Sequence, residues 1–230
     1  ALIARAADPS TLWHIVHDRC VPDQQAHQNP APCAAVDLAG GYVVLKDIDG
    51  ATQYLVMPTA RVTGIEDTAI LAPDAPNYFA AAWRARRYVE QSVGHDLPRE
   101  DVALAINSKY GRSQNQLHIH VDCIRLDVRA ALARHGAQVG PHWRWFPVPL
   151  AGHRYRAMRL SQAALDGGNL FRLLAADVAP AAMGNHTLVL AGAIFAGQPG
   201  FILLDDHADL AAGDRASGEM LQDHSFALAH

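Results

Sequence analysis

The 230-residue sequence predicts an α+β fold in which antiparallel strand pairs flank a helix, in the same order in both halves. In the first half, two strand-like runs surround the turn dipeptide Asp49-Gly50, a helical run follows, and two further strand-like runs surround a polar loop. Because each pair is joined by a short connection, antiparallel rather than parallel pairing is expected.

The first half supplies the clearest elements. Residues 10–20 predict a short amphipathic helix capped by Ser10, with His14 and His17 on its surface. Residues 42–47 and 53–57 are expected strands because apolar side chains recur along them and Asp49-Gly50 favours a hairpin turn. Residues 76–93 predict a helix that Gly94 ends. The final strand pair is expected at residues 101–108 and 116–124, with a loop at 109–115.

The second half predicts a hairpin within residues 142–160 and a helix at 166–179 that ends before Pro180. A strand pair follows at 186–206, with its turn at Gly-Gln-Pro-Gly, residues 197–200. The order of elements predicts two copies of one unit packed as a single body. The alternative is that hairpin, helix and hairpin form a common arrangement without duplication.

Composition excludes two classes of protein. Half of the residues are hydrophobic and 18% are charged, which is typical of a globular chain. The net charge of −4 and the lack of a basic block argue against binding of duplex nucleic acid. No apolar run reaches about 18 residues, so no transmembrane helix is expected within this chain.

The three cysteines divide into a pair and a single residue. Cys20 and Cys33 bracket a segment rich in Pro, Gln and Asn, and we predict that they form a disulfide, which would indicate an oxidising compartment. The alternative is two unrelated reduced thiols. Cys123 alternates away from the neighbouring histidines and is expected to be a buried core thiol.

Residues 107–124, NSKYGRSQNQLHIHVDCI, contain the densest group of chemically active side chains. Successive side chains of a strand point to opposite faces. His118, His120 and Asp122 are therefore expected on one face, with Gln116 in the same row. The core face is expected to take Leu117, Ile119, Val121 and Cys123.

Three functions fit this pattern, and the residues alone leave all three open. The first is covalent catalysis on phosphorus, since neutral imidazole is a nucleophile near pH 7. The preceding loop would then bind phosphate oxygens through backbone N–H groups and amide side chains. The second function is a metal site formed by His118, His120 and Asp122. The third is a binding module without catalytic activity.

The same stretch resembles the signature of the histidine-triad (HIT) nucleotide hydrolases and transferases, in which alternating histidines follow an asparagine and a glutamine. Asn107 and Gln114 fall at the matching positions, and Asn115 stands where the family has a small hydroxyl residue. Residues 51–67 are also similar to the HIT hairpin. The resemblance implies a HIT-like antiparallel sheet: a first segment at residues 1–36, a catalytic HIT-like unit at 37–130, and a second, degenerate HIT-like unit at 131–230.

More closely, four stretches are similar to the CDP-diacylglycerol pyrophosphatase family: LWHIV, INSKYGRSQNQLHIHVDCI, GHRYRAMRL and MGNHTLVLAG. They extend over most of the chain. The resemblance implies hydrolysis of CDP-diacylglycerol to CMP and phosphatidate, without a metal or another cofactor. It assigns the attack on the α-phosphorus to His120, which would form a CMP-histidine intermediate, and a supporting role to His118. Expected substrate contacts are Asn107, Lys109, Gly111, Arg112, Ser113, Gln114, Asn115 and Asp122.

Asp122 departs from the HIT signature because it stands in place of the third histidine. A carboxylate there would repel phosphate oxygens unless it is protonated or paired with a cation such as Lys109 or Arg112. The loss of that histidine is expected to be tolerated, since a phosphate monoester is a good leaving group that needs little general-acid help.

The implied substrate is a membrane lipid. The resemblance therefore implies a bacterial inner-membrane protein whose catalytic part faces the periplasm, held by an N-terminal anchor that lies outside this chain. Trp143, Trp145 and Phe146 are expected in a strand core, the alternative being an apolar wall beside the lipid. Three further histidines are expected in solvated loops, the alternative being that they are pocket residues: His186, His207 and His224.

Overall fold

The computed structural model describes residues 8–225, and all strands within these residues join one antiparallel sheet. The nine strands lie side by side in the order β1-β2-β3-β5-β4-β8-β9-β7-β6. The α+β class with an antiparallel sheet is thus confirmed. The strands are β1 Ala35–Asp37, β2 Tyr42–Lys46, β3 Tyr54–Pro58, β4 Val102–Ile106, β5 Ile119–Cys123, β6 Arg144–Trp145, β7 Arg156–Ser161, β8 His186–Phe195 and β9 Gln198–His207.

The strand order is the same in both halves when it is followed from the outer edge to the centre. Inside the extra edge strand β1, the first half has β2-β3-β5-β4, and the second half has β6-β7-β9-β8; the two halves meet where β4 pairs with β8. A duplicated unit would produce this shared order, and the duplication itself stays a prediction.

Six α-helices accompany the sheet within residues 8–225, and none of the described helices is long and apolar enough to cross a bilayer. A π-helical turn, Val16–Cys20, joins the first two helices into one continuous helical segment. The helices are α1 Thr11–Ile15, α2 Val21–His27, α3 Tyr78–Val93, α4 Leu126–His135, α5 Gln162–Gly167 and α6 Leu170–Ala175.

The two faces of the sheet carry different cores. On one face, α3, α5 and α6 pack against a large cluster that includes Ile119, Val121 and Cys123 of β5, as the alternation predicts. The opposite face carries two smaller clusters, one beneath the N-terminal helices and one beneath α4. The histidines point to this second face. The row that begins at Gln116 therefore lies where neither cluster covers the sheet completely.

The predicted strands of the first half and the helix at 76–93 are confirmed within two residues, except that β5 begins three residues later than expected, at Ile119. Asn77 begins α3 by accepting a hydrogen bond from the Ala80 N–H, at 3.0 Å. Gly94 ends it with φ 87°, a left-handed conformation that favours glycine. Gly50, in the predicted hairpin turn, has φ 72°.

The N-terminal segment differs from its prediction in two respects. Ser10 occupies the capping position but makes no side-chain capping bond. The Asp8 carboxylate instead accepts the Ser10 N–H at 2.9 Å. The predicted disulfide between Cys20 and Cys33 is present, although the segment it brackets is partly helical as α2 rather than a loop.

The second half required three corrections. The single helix expected at 166–179 is two short helices, because Gly168 is extended and Asn169 caps the second by accepting the Phe171 N–H. The hairpin of β8 and β9 turns at Ala196-Gly197, both with positive φ, and the expected turn residues 198–200 belong to β9. Helix α4 was not predicted, and the expected unit boundary at 130/131 falls inside it.

The aromatic and histidine predictions of the second half are confirmed in part. Phe146 is buried in the cluster beneath α4, but Trp145 is 52% exposed because β6 is a two-residue edge strand. His186 is not in a solvated loop: it begins β8 and its Nδ1 lies 2.8 Å from Asp205 Oδ1. His207 is exposed at the end of β9.

Candidate functional site

A cavity of about 940 Å³ lies over the histidine face of β5, between the N-terminal helices and the C-terminal segment. One wall is apolar and is formed by Leu12, Ile15, Leu45 and Leu55. The opposite wall is polar and comes from the loop after β4 and from residues beyond 216. Its members include Asn107, Gly111, Arg112, Ser113, Gln114, His118, His120, Ser217, Glu219, Gln222 and His224.

His118 and His120 lie at the floor of this cavity, with ring centroids 4.9 Å apart and nearly perpendicular planes. Both are buried. Burial lowers the pKa of His118 and lowers that of His120 well below its usual range; for His120, the neighbouring rings of His118 and His224 add to the effect. Both imidazoles are therefore neutral at pH 7, the form in which a ring nitrogen keeps a lone pair.

The hydrogen bonds of these rings determine which nitrogen is available. His118 Nδ1 lies 2.6 Å from the backbone oxygen of Gln116, so its Nδ1–H donates and its Nε2 carries the lone pair. His120 Nδ1 lies 2.5 Å from Gln53 Nε2, the amide nitrogen, and 3.4 Å from Glu219 Oε2. His120 Nε2 is buried and has no hydrogen-bond partner among residues 8–225.

Two side chains can hold His120 in the nucleophilic tautomer. An amide presents either its oxygen or its NH₂ group to a ring nitrogen after exchange of the two positions. If Gln53 presents its oxygen, His120 Nδ1–H donates to it and Nε2 keeps the lone pair. Glu219 adds a second acceptor. Burial raises the pKa of Glu219, although its bond from Asn107 opposes this.

Asp122 lies beneath the cavity rather than on its wall. It is fully buried, and its Oδ1 accepts hydrogen bonds from Thr52 Oγ1 at 2.6 Å and from the Cys123 N–H at 2.9 Å. Its Oδ2 lies 3.2 Å from His224 Nδ1. The cation that pairs with Asp122 is therefore His224, and the expectation of Lys109 or Arg112 was wrong.

This contact holds His224 at the cavity wall, where 38% of its side chain is exposed. The hydrogen bond with Asp122 raises the pKa of His224, and the charges of Asp122, Glu219 and Asp47 act in the same direction against its burial. The expectation that His224 lies in a solvated loop was wrong, because a buried carboxylate holds it beside His120.

The loop between β4 and β5 reaches the cavity, but most of its polar groups already bind protein atoms. Asn107 donates to Glu219 Oε1 at 2.8 Å, and Gln114 links Leu12 N–H and Asp8 O of the N-terminal segment. Arg112 makes two hydrogen bonds to Glu66, at 2.5 and 2.7 Å. These contacts fix the walls of the cavity.

The predicted substrate contacts therefore divide into two groups. Those on the cavity wall are Asn107, Gly111, Arg112, Ser113 and Gln114. Lys109, Asn115 and Asp122 do not line it: Lys109 lies over the Tyr110 ring, and the Asn115 oxygen faces Arg112. The aromatic residues Trp143, Trp145 and Phe146 also do not line it.

The histidine row does not have the geometry of the alternative metal site. His118 Nδ1 faces its own backbone at Gln116, and the Asp122 oxygens bind Thr52, Cys123 N–H and His224. Among residues 8–225, the side chains that could together hold a metal ion are His153, Asp206 and Asp214.

Sequence reasoning missed Gln53 and Glu219 and undervalued His224. Gln53 stands one residue before β3, in a hairpin whose pattern predicted only structure. Glu219 and His224 lie about one hundred residues beyond the histidine strand, in a segment without periodicity. The one local signal was a histidine within LQDHS, which resembles many solvated loops.

Comparison with known proteins gave three findings. The family model described as CDP-diacylglycerol pyrophosphatase matches residues 7–230. A Yersinia pestis protein named CDP-diacylglycerol pyrophosphatase is 41% identical over 224 residues, covering 96% of this chain and 85% of the relative. A crystal structure of a DUF4931 family protein from Bacillus cereus aligns with a TM-score of 0.46 and 12% identity, over 82% of this chain and 94% of that one.

Proposed function

Because the chain belongs to the CDP-diacylglycerol pyrophosphatase family, a family of hydrolases, we propose that it splits the pyrophosphate bond of CDP-diacylglycerol through a covalent intermediate on His120. The products are CMP and phosphatidate. The observation that carries the covalent route is His120 Nε2, a buried nitrogen at the cavity floor with no hydrogen-bond partner within residues 8–225. Such an atom typically costs about 1–3 kcal/mol, and a substrate phosphorus would give it a bonding partner.

The first step is attack by the His120 Nε2 lone pair on the phosphorus of the CMP half. The N–P bond forms while the bond from that phosphorus to the bridging oxygen breaks. The bridging oxygen leaves with the electron pair as part of phosphatidate. Glu219 accepts the hydrogen bond from Nδ1, as does Gln53 once its amide is turned to present its oxygen, and both stabilise the positive ring that attack creates.

A phosphate monoester needs little general-acid help in water, but the apolar wall of the cavity solvates the developing charge poorly. Protonated His224 therefore supplies the proton that the leaving phosphatidate takes up. Its Nδ1–H is bound to Asp122, so Nε2–H is the group free to donate. This pair repeats the logic of a buried carboxylate that orients a histidine for proton transfer. In this role Asp122 and His224 together replace the third histidine of the triad, and His224 acts as the general acid.

The second step reverses these transfers. Neutral His224 accepts a proton from water, and the water oxygen attacks the phosphorus held by His120. The N–P bond breaks, its electron pair returns to His120, and CMP leaves. Every proton and electron pair is accounted for without a metal ion.

The two walls of the cavity suit the two ends of the substrate. The apolar wall of Leu12, Ile15, Leu45 and Leu55 suits the glycerol and the first acyl carbons. The polar wall suits the phosphates. Ile48 at the cavity rim is 97% exposed, as expected where lipid chains continue outward.

The stereochemical course at phosphorus tests the covalent route. A CDP-diacylglycerol made chiral at the CMP phosphorus with sulfur and oxygen isotopes is hydrolysed, and the configuration of the CMP product is determined. Two in-line displacements give net retention, as expected for the His120 intermediate. Net inversion would show direct attack by water and end the proposal.

A matched pair of variants tests the residue. We expect His120→Asn to lower kcat by roughly 10³-fold or more, as removal of a nucleophile does. His207→Asn removes an exposed histidine and should leave kcat unchanged. Near-normal turnover by His120→Asn with native circular dichroism would exclude His120 as the nucleophile.

We also propose that the protein works at the bacterial inner membrane, facing the periplasm, held by an N-terminal anchor. The disulfide between Cys20 and Cys33 supports an oxidising compartment, and the lipid substrate supports a membrane site. Thiol labelling after acid quenching of intact cells tests this. Cys123 is a free thiol and should be labelled in either compartment, whereas Cys20 and Cys33 should resist labelling until they are reduced. Labelling of Cys20 and Cys33 without reduction would place the protein in the cytoplasm.

A further inference from the structure

We propose that His153, Asp206 and Asp214 form a binding site for a first-row divalent cation of the zinc type, separate from the catalytic cavity. None of the three lines that cavity. One ligand atom from each lies within 4.8 Å of the others. The inference rests on the geometry of this cluster and does not depend on the proposed reaction.

Three separate parts of the chain bring these ligands together. His153 lies in a turn between β6 and β7. Its backbone N–H donates to Leu150 O, and its backbone oxygen accepts the Leu150 N–H. Asp206 belongs to β9, and Asp214 to the loop after it. His153 Nδ1 lies 2.6 Å from Asp214 Oδ2 and 4.0 Å from Asp206 Oδ2. The cluster therefore joins the β6–β7 turn, β9 and the following loop.

Each carboxylate is already fixed by one oxygen and presents the other to His153. Asp206 Oδ1 accepts the His207 N–H, and Asp214 Oδ1 accepts the Ala216 N–H, both at 2.8 Å. The oxygens that remain, Asp206 Oδ2 and Asp214 Oδ2, face the same imidazole nitrogen. Such prior fixation is what a metal site requires of its ligands.

Asp206 Oδ2 supplies an independent indication of a ligand. Asp206 is only 6% exposed, and its Oδ2 is buried with no hydrogen-bond partner among residues 8–225. Burial and the charge of Asp214 raise the pKa of Asp206 to about 7. A bound cation would satisfy this oxygen and would reverse the electrostatic cost of two adjacent carboxylates.

The donor set selects the class of cation. One imidazole nitrogen and two carboxylate oxygens suit Zn²⁺, whose ligands lie about 2.0–2.2 Å from the metal and hence about 3.3 Å from one another. The separations from His153 Nδ1, 2.6 and 4.0 Å, bracket that spacing. Ca²⁺ requires 6–8 oxygens, which two carboxylates do not supply. His153 and Asp214 are partly exposed, so water can complete the coordination.

A cation here would stabilise the segment that carries part of the catalytic wall. We define residues 208–225 as the C-terminal strap. Ala216 O, two residues after Asp214 in the strap, accepts a hydrogen bond from the Ser108 N–H. Further along the strap, Glu219 and His224 line the cavity. Fixing Asp214 therefore limits the motion of the strap, and the role of the cation is structural.

Metal content and thermal stability of the full chain test the proposal. After EDTA treatment and dialysis, the protein is titrated with ZnCl₂, and bound metal is measured by inductively coupled plasma mass spectrometry. We expect one saturable equivalent and an increase in Tm of several degrees. We expect Asp206→Asn, which keeps the shape of the side chain, to lose both effects.

Two control variants locate the ion. Asp209→Asn alters an exposed carboxylate of the same strap outside the cluster and should still bind zinc. His120→Asn should also bind zinc, which separates this site from the catalytic histidines. Co²⁺ added to the unmodified chain gives a visible absorption band if a nitrogen and two carboxylates bind it, even if Asp206→Asn does not fold.

The proposal fails if the unmodified chain shows no saturable zinc or cobalt binding. In that case a shared proton satisfies the two carboxylates. It also fails if Asp206→Asn binds zinc as tightly as the unmodified chain, or if His120→Asn alone abolishes binding.

Discussion

Removal of the cationic side chain of His224 should slow the reaction of the natural substrate far more than that of an activated one. The variant His224→Gln keeps a polar side chain near Asp122 but cannot donate a proton to phosphatidate. A substrate whose leaving group needs no proton, such as the p-nitrophenyl ester of CMP, does not require this donor. The ratio of the two rates therefore reports the role of His224.

The size of the effect follows from the exposure of the side chain. Two unit charges about 4 Å apart attract by about 1 kcal/mol in water and by about 4 kcal/mol at an effective dielectric constant of 20. His224 is 38% exposed and lies between these conditions. An intermediate value of about 2.7 kcal/mol corresponds to about 10²-fold in the rate of the first step, within the usual range for general acids.

The assay measures the rate of the first step, as release of phosphatidate from CDP-diacylglycerol micelles or of p-nitrophenol from the ester in a single turnover, because the second step also uses His224 and is common to both substrates. We expect His224→Gln to lose about 10²-fold on the lipid and only a few-fold on the ester. The matched control is His27→Gln, which removes another carboxylate-bound histidine, paired with Asp23 far from the cavity. Equal losses on both substrates would refute the acid role and leave His224 as a structural group.

Three further predictions concern the pairs around the cavity. Asp122→Asn removes the largest cause of the raised pKa of His224, so the alkaline limb of the kcat profile, where His224 loses its proton, should shift to lower pH. An alkaline limb at an unchanged pH contradicts this. Arg112→Lys loses the two-bond pairing with Glu66 and should lower Tm with little change in kcat; a raised KM at unchanged Tm would indicate substrate contact instead. Cys33→Ser opens a loop of 13 residues and should cost about 3 kcal/mol of unfolding free energy, measured by urea denaturation.

The Asp122–His224 pair also links stability to pH. The pKa of His224 is raised in the folded state, so the folded chain binds the proton on His224 more strongly than the unfolded chain does. This contribution is fully present below the ordinary histidine pKa and is lost as pH rises through the raised value. Above that range, Asp122 keeps Thr52 and the Cys123 N–H as its hydrogen-bond donors.

The histidine strand illustrates what local pattern can predict. The period of two residues placed His118 and His120 on one face and Val121 and Cys123 on the other, and the sheet confirms this. The same reasoning failed for residues 166–179, where Gly168 and Asn169 break the helix. The apolar residues keep helical spacing across that break, and such spacing does not reveal that the backbone of Gly168 is extended.

The loop of residues 107–116 shows how polar composition can mislead about roles. Its side chains were expected to bind phosphate, and several lie at the cavity. Arg112, however, forms hydrogen bonds with Glu66, and Gln114 accepts one from the N-terminal helix. A polar residue near a site can bind a ligand or a neighbour, and composition does not distinguish the two.

By itself, the sequence determined the hairpins, the faces of β5 and the pairing of Cys20 with Cys33. These depend on neighbours along the chain or on a loop short enough to close. Only the tertiary structure decided that His224 pairs with Asp122, 102 residues away, and that Glu219 reaches His120. Periodicity fixes the direction in which a side chain points, but the segment that meets it depends on how distant parts of the chain pack.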